Sequence, residues 1–110
     1  MNQEIKLYQS VVTGIGASLP KKIVTNKDLT KIVDTTEEWI VERTGIQERR
    51  IASDNETTSS LGTEAAKIAL QNANLKNKDI DLIILATATP DNTFPASAAV
   101  IQSSLGIDKC

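Results

Sequence analysis

Apolar runs separated by turn-forming residues predict the first elements of the chain. Residues 11–16 form a β-branched run that ends in glycine, and a Leu-Pro pair follows at 19–20, which predicts a short buried strand and a turn. Asn26 is a suitable N-cap for a short helix that continues to Val33, because apolar residues recur along one face of this stretch. The pattern therefore predicts a strand followed by a helix.

A second short helix is predicted directly afterwards. Thr35 and Glu38 have the spacing of a capping box, and acidic residues in the first turn suit the positive end of a helix. This helix is expected from about Thr36 to Thr44, with Gly45 as its end. Residues 46–51 alternate weakly between apolar and charged side chains, which favours a short strand or an extended connection.

The second half of the chain repeats the alternation of helix and strand. Small apolar residues recur at helical spacing over 58–74, and a continuous apolar run follows at 82–86, which predicts a strand buried on both faces. Residues 95–105 predict another helix, with Pro95 in its first turn and Gly106 at its end. The order of elements predicts an α/β fold in which helices bridge the strands of a parallel or mixed sheet.

Composition narrows the classes of protein that this sequence can belong to. The chain has 110 residues, 40% hydrophobic and 24% charged, which suits one small globular domain. The net charge is -2 and no basic stripe is present, so we expect no nucleic-acid partner. No apolar run approaches the roughly 20 residues of a membrane span, and residues 1–10 lack the apolar core of a signal peptide. With a single cysteine, a soluble cytoplasmic protein is the expectation.

Few residues suggest chemistry. Trp39 and Arg43 are one helical turn apart, so an indole face and a guanidinium could together stack a purine and hold a phosphate. The alternative is that Trp39 anchors the core and Arg43 forms a surface ion pair, and spacing alone favours this alternative. For the adjacent Arg49 and Arg50, solvated or ion-paired side chains are expected rather than a phosphate clamp.

Catalytic groups are scarce. The sequence has no histidine, the commonest general base and metal ligand, so no metal site is expected. Cys110 has no base to activate it, and a small buried hydrophobic residue is the expected role.

One long segment carries a family resemblance. Residues 33–51, VDTTEEWIVERTGIQERRI, resemble the segment of β-ketoacyl-[acyl-carrier-protein] synthase III that contributes the nucleotide end of the coenzyme A site. Residues 14–20, 81–87 and the FPASAA stretch at 94–99 support the resemblance, which covers essentially the whole chain after its first residues. The resemblance implies the thiolase fold, in which each subunit has two similar halves stacked in a five-layer αβαβα architecture. It also implies that two subunits form a homodimer. Residues 1–110 would form the amino-terminal part of the first half, with its mixed sheet and covering helices.

The resemblance also implies a site. Trp39 is similar to the residue that stacks on adenine, with Thr35 and Arg43 beside it at the nucleotide of coenzyme A. Phe94 is similar to the residue that reaches across the dimer and lines the neighbouring subunit's acyl pocket. The substrates would be acetyl-coenzyme A and malonyl-acyl-carrier protein, with no separate cofactor.

The family's catalytic residues are expected to lie outside this chain. The nucleophilic cysteine, which takes the acetyl group from acetyl-coenzyme A, follows the helix that ends here at Gly106, and the family's His and Asn come later still. Cys110 matches a non-catalytic position before the next strand, so the chain is expected to be cut in mid-unit and inactive by itself.

The sequence leaves two alternatives open. The chain could come from another thiolase-fold acyl-coenzyme A condensing enzyme, such as a hydroxymethylglutaryl-coenzyme A synthase or a starter enzyme of specialised metabolism. It could also be a non-catalytic truncated fragment or interaction module.

Overall fold

A computed structural model describes residues 8–110. Most of the segment 1–10, for which no signal peptide was predicted, therefore lies outside the described residues. The elements, in chain order, are β1 (Lys22–Thr25), α1 (Asn26–Leu29), α2 (Glu37–Thr44), β2 (Glu48–Ile51), α3 (Thr58–Ala73), a 3-10 turn (Asn77–Asp79) and α4 (Ser97–Leu105). Helices α1 and α2 thus lie between the two strands, and α3 and α4 follow them.

The two assigned strands form an antiparallel pair. Lys22 lies opposite Ile51, and Thr25 lies opposite Glu48. The predicted strand within residues 46–51 is confirmed as β2, whereas β1 was not predicted from the sequence. The pairing brings the start of α1 close to the end of α2, because α1 begins directly after β1 and α2 ends just before β2.

Helix α1 begins and ends earlier than predicted. Thr25, not Asn26, is the N-cap: its hydroxyl accepts from Asp28 N at 3.2 Å, while Asp28 Oδ2 accepts from Thr25 N at 3.1 Å. This reciprocal capping box satisfies the first free backbone donors and leaves the Asn26 side chain to bond elsewhere. The α-helix ends at Leu29 rather than Val33, and the backbone continues as a turn in which Val33 N donates to Leu29 O.

Helices α3 and α4 pack on each other and form the centre of the core. The predicted helix over 58–74 is confirmed as Thr58–Ala73, with Thr57 as N-cap and Asn74 in the left-handed conformation at its end. The helix predicted over 95–105 is confirmed as Ser97–Leu105 and ends at Gly106, but Pro95 precedes its first turn. Buried Ile101, Leu105 and Ile107 form the core cluster, and Ile83 and Leu85 pack against it.

The strands predicted at 11–16 and 82–86 are not assigned as strands among the described residues. A strand needs a hydrogen-bonded neighbour, and neither segment has one within the described part of the chain. The expectation of burial on both faces for 82–86 is also wrong here. Ile83 and Leu85 face the helices, while Leu82 and Ile84 are 71% and 83% exposed. The segment therefore keeps the alternation of an extended chain with one face covered.

The amino-terminal segment lies against α3. Gly14 and Gly16 sit so close to this helix that a Cβ on Gly16 would be 2.1 Å from Ala65 O, and a Cβ on Gly14 would be 2.4 Å from Ala69 O. Only glycine permits this approach of backbone to backbone. Within the described range, no helix is long and apolar enough to cross a membrane.

Candidate functional site

Helix α2 carries the principal candidate residues and is well capped. Thr36 is its N-cap, since the Thr36 hydroxyl accepts from Trp39 N at 3.1 Å, and Gly45 closes it in the left-handed conformation with φ 68°. The prediction that Thr35 forms the capping box is therefore wrong by one residue. The Thr35 side chain is therefore not used to cap the helix.

Trp39 and Arg43 share one face of α2, as their spacing predicts. The Arg43 guanidinium carbon lies 5.6 Å from the centroid of the Trp39 ring, within the range of a cation–π interaction. The alternative in which Trp39 anchors the core is wrong, because Trp39 is 54% exposed. Nor does Arg43 form an ion pair within residues 8–110, where the two ion pairs are Lys31–Asp28 and Lys67–Glu64.

A groove opens beside the Trp39 ring between α1 and α2. We call it the α1–α2 groove; its volume is about 420 Å³, and it is lined by Leu29, Val33, Asp34, Thr35, Thr36, Trp39 and Ile40. The lining combines aliphatic and aromatic side chains with a few hydroxyls and one carboxylate, a composition typical of small-molecule sites.

The hydroxyl of Thr35 is the unusual polar group of this groove. Its Oγ1 is buried and has no hydrogen-bond partner among the described residues. A buried hydroxyl without a partner costs free energy, so such a group is a natural donor or acceptor for a ligand. The structure thus brings Thr35 and Trp39 together at the groove, and Arg43 joins them through the Trp39 ring.

Phe94 lies elsewhere, in the connection before α4, and is 89% exposed. Two contacts join this connection to the start of α3: Thr58 Oγ1 donates to Thr89 O at 2.7 Å, and Ser59 N donates to the Asp91 carboxylate at 3.2 Å. Phe94 is therefore presented to solvent by a connection that is tied at its base.

Asp91 was not singled out from the sequence, although it stands in a recognisable turn. Hydrogen bonds from the Ser59 hydroxyl and backbone N–H hold the pKa of the Asp91 carboxyl below its usual value. Ser97 accepts from Asp91 N at 3.2 Å, which ties the same residue to the first turn of α4. The carboxylate also lies at the positive end of α3, where a negative charge is stabilising.

The paired arginines of β2 differ in their surroundings. Arg49 is half-buried and donates to Asn26 Oδ1 at 2.8 Å and to Val24 O at 3.3 Å, so it is neither solvated nor ion-paired as expected. Arg50 is exposed, as expected, and donates to Pro20 O at 3.3 Å. They stabilise the strand pair and its flanks. The absence of a phosphate clamp at this pair stays a prediction.

Cys110 is exposed, so its predicted burial is wrong. Within residues 8–110 no group of three or more Cys, Asp or Glu side chains is arranged to hold a metal ion.

Comparison with known proteins gives one consistent result. No family model matches the chain. The chain is 58% identical over 103 residues to the β-ketoacyl-[acyl-carrier-protein] synthase III of Brucella anthropi, covering 94% of this chain and 32% of that protein. It is 56% identical over 101 residues to the synthase III of Rhizobium rhizogenes, covering 92% of this chain and 31% of that one. The chain therefore spans about a third of the length of these relatives.

Solved structures agree with these relatives. The 3-oxoacyl-[acyl-carrier-protein] synthase III of Aquifex aeolicus is 53% identical with a TM-score of 0.84, over 87% of this chain and 31% of that one. A priming β-ketosynthase from a polyketide pathway is 39% identical with a TM-score of 0.85, over 88% of this chain and 29% of that one. The resemblance deduced from residues 33–51 is confirmed, and so is the predicted fold class, an α/β portion of the thiolase fold.

Proposed function

We propose that this chain is the part of a β-ketoacyl-[acyl-carrier-protein] synthase III that holds the nucleotide end of acetyl-coenzyme A. Identity of 56–58% to proteins of that name supports the assignment. The observation that carries the site is the half-exposed Trp39 ring, which borders the α1–α2 groove with the Arg43 guanidinium over its face.

Each of the three residues has a distinct role in this proposal. The Trp39 ring stacks on adenine, since nucleobases bind to exposed aromatic faces. Arg43 bonds to a phosphate, for which its planar fork of donors is suited, and its position over the ring orients it before the ligand arrives. Thr35 uses its buried, unpartnered hydroxyl to hydrogen bond to the nucleotide.

The proposed reaction of the complete enzyme has two stages. A cysteine thiolate attacks the thioester of acetyl-coenzyme A, which forms an acetyl-enzyme and releases the coenzyme A thiolate. Malonyl-acyl-carrier protein then loses carbon dioxide, and the resulting carbanion attacks the acetyl thioester and frees the cysteine. This chain has no histidine, and Cys110 is exposed. We therefore assign the nucleophile and its oxyanion-stabilising partners to polypeptide beyond these 110 residues.

Phe94 is proposed to line the acyl pocket of the neighbouring subunit in a homodimer. In support, the ring is 89% exposed, and its connection is tied at the base by Asp91. A ring held in this way can contact another subunit without first losing freedom of its backbone. The proposed setting of this dimer is the cytoplasm, where acetyl-coenzyme A and the carrier protein are its partners.

A second candidate function is the priming of a polyketide. It is favoured by the likeness to the priming β-ketosynthase, at 39% identity and a TM-score of 0.85. The higher identity to β-ketoacyl-[acyl-carrier-protein] synthases III makes this the weaker candidate. The two candidates differ in the pathway that they prime, so rates with carrier proteins from fatty-acid and from polyketide synthesis distinguish them.

The nucleotide site is tested by replacing Arg43 in the full-length protein. Arg43→Gln removes the charge, so the affinity for coenzyme A should fall by about 1.5–3 kcal/mol, the usual contribution of a hydrogen bond to a charged group. The affinity for pantetheine, which lacks the nucleotide, should not change. Arg50→Gln is the matched control, because Arg50 donates to backbone carbonyls of Pro20 and Lys21. Calorimetric titration that gave equal affinities for coenzyme A in both variants would refute the site.

A further inference from the structure

Asn26 has the lowest exposure of the buried polar side chains, at 3%, and its amide is bonded at both ends. The Nδ2 group donates to Ile46 O at 2.8 Å, and Oδ1 accepts from Arg49 Nη2 at 2.8 Å. The backbone N of Asn26 adds a bond to Gln47 O at 3.1 Å. A single buried residue thus holds three separate points of the segment that follows α2.

These bonds connect the two walls of the α1–α2 groove. Asn26 is the first residue of α1, whose last residue, Leu29, lines one wall. Ile46 comes directly after Gly45, where α2 ends, and α2 supplies Trp39 on the other wall. Since the amide fixes the start of α1 to the end of α2, it sets the distance between the walls.

Arg49 anchors the same amide to the strand pair. Its second nitrogen donates to Val24 O at 3.3 Å, in the strand that leads into α1. The guanidinium therefore orients the Asn26 side chain so that Nδ2 faces Ile46. Twenty or more residues separate Asn26 from Ile46 and Arg49, so these contacts belong to the tertiary structure and not to local capping.

We infer that Asn26 is a positioning residue for the nucleotide of coenzyme A, because its amide holds the element that carries Leu29 to the end of the helix that carries Trp39. This inference rests on the proposed function. A base stacked on Trp39 fills the groove only when the opposite wall is in place, and a wall that moves must be ordered again on binding. Asn26 acts through its neighbours and need not touch the ligand.

The test compares two substrates in the full-length protein. Acetyl-coenzyme A carries the nucleotide, and acetyl-pantetheine presents the same thioester without it. Asn26→Ala removes both side-chain hydrogen bonds and should lower kcat/KM for acetyl-coenzyme A roughly tenfold, while kcat/KM for acetyl-pantetheine is unchanged. A purely structural role would reduce both values together.

Further variants separate the two hydrogen bonds of the Asn26 amide, and they keep the test valid if Asn26→Ala folds poorly. Asn26→Asp keeps an acceptor for Arg49 but loses the donor to Ile46, so it should reduce the acetyl-coenzyme A value as Asn26→Ala does. Asn72→Ala is the control, since Asn72 Nδ2 also donates to a distant backbone carbonyl, Ile15 O, at 2.8 Å but lies on α3 away from the groove. It should leave the ratio of the two kcat/KM values unchanged.

The outcomes distinguish this inference from the site itself. If Trp39→Ala lowers the ratio but both Asn26 variants do not, the positioning role is wrong and the nucleotide site stands. If Trp39→Ala leaves the ratio unchanged, the nucleotide site is wrong as well. Equal losses for both substrates in the Asn26 variants would also overturn the positioning role.

Discussion

Replacing Gly16 by alanine should destabilise the protein through a clash of two backbones. A Cβ at this position would lie 2.1 Å from Ala65 O and 2.5 Å from Ala69 N, both main-chain atoms of α3. Since non-bonded heavy atoms prefer about 3.5–4.0 Å, the segment and the helix must separate by roughly 1 Å or more. A side chain cannot rotate away to relieve this contact.

The expected loss follows from the type of atom involved. Overpacking of a well-filled site typically costs about 1–3 kcal/mol, and a clash with backbone atoms should fall at the upper end of that range. The loss should appear in the full-length protein as a lower midpoint of urea unfolding with an unchanged slope, which identifies a change of stability rather than of the unfolded state.

Gly62→Ala is the matched control because Gly62 lies inside α3. Its Cβ would meet the end of the Ile101 side chain, Cδ1, at 2.9 Å, and that group can rotate away. Alanine also favours a helix interior over glycine by about 0.8–1 kcal/mol, so the net change should be small or stabilising. If Gly16→Ala were as stable as Gly62→Ala, the close approach of the amino-terminal segment to α3 would be wrong.

Three further predictions concern the acyl pocket, the cap of α1 and the isolated chain. Phe94→Thr in the full-length protein should raise the rates with butyryl- and branched acyl-coenzyme A relative to acetyl-coenzyme A, because a smaller wall admits longer chains; identical preferences would remove Phe94 from the pocket. Hydrogen bonds from Thr25 and Lys31 lower the pKa of Asp28 from 3.8 to about 2. The capping of α1 should therefore be fully stabilising above about pH 4, and this stabilisation should be lost as the pH falls towards 2. In acid unfolding, Asp28→Asn should remove this part of the pH dependence, and an unchanged profile would contradict the role of Asp28. The 110-residue chain should show no condensation of acetyl-coenzyme A with malonyl-carrier protein, and stoichiometric acetylation of Cys110 with turnover, detected by mass spectrometry, would overturn this.

Local patterns predicted all four α-helices but not all of their limits. The limits of α3 and the end of α4 at Gly106 follow from apolar spacing and from residues that cap or close a helix. Errors arose where neighbouring residues have similar chemistry. Thr35 and Thr36 can both cap a helix, and only the bond from Trp39 N to Thr36 Oγ1 identifies the cap.

Contacts between residues far apart in the chain could not be predicted from the sequence. The pairing of β1 with β2, and the bonds from Asn26 to Ile46, depend on residues that are 20 or more positions apart. The apolar run at 82–86 predicts an extended segment but does not say which neighbours cover its two faces. For the candidate site, helical spacing placed Trp39 and Arg43 together, whereas the exposure of the Trp39 ring, which excludes a core anchor, required the structure.

The most direct test of the proposed nucleotide site is the affinity of the full-length protein for acetyl-coenzyme A when Trp39 is replaced. Stacking on an aromatic face contributes about 1–3 kcal/mol per base, so calorimetry on Trp39→Ala should show binding weaker by that amount, and Trp39→Phe should recover part of the loss. Because the ring is 54% exposed, circular dichroism of Trp39→Ala should remain that of the unmodified protein. Unchanged affinity for acetyl-coenzyme A, together with a loss of helical signal, would contradict the account and make Trp39 a structural residue.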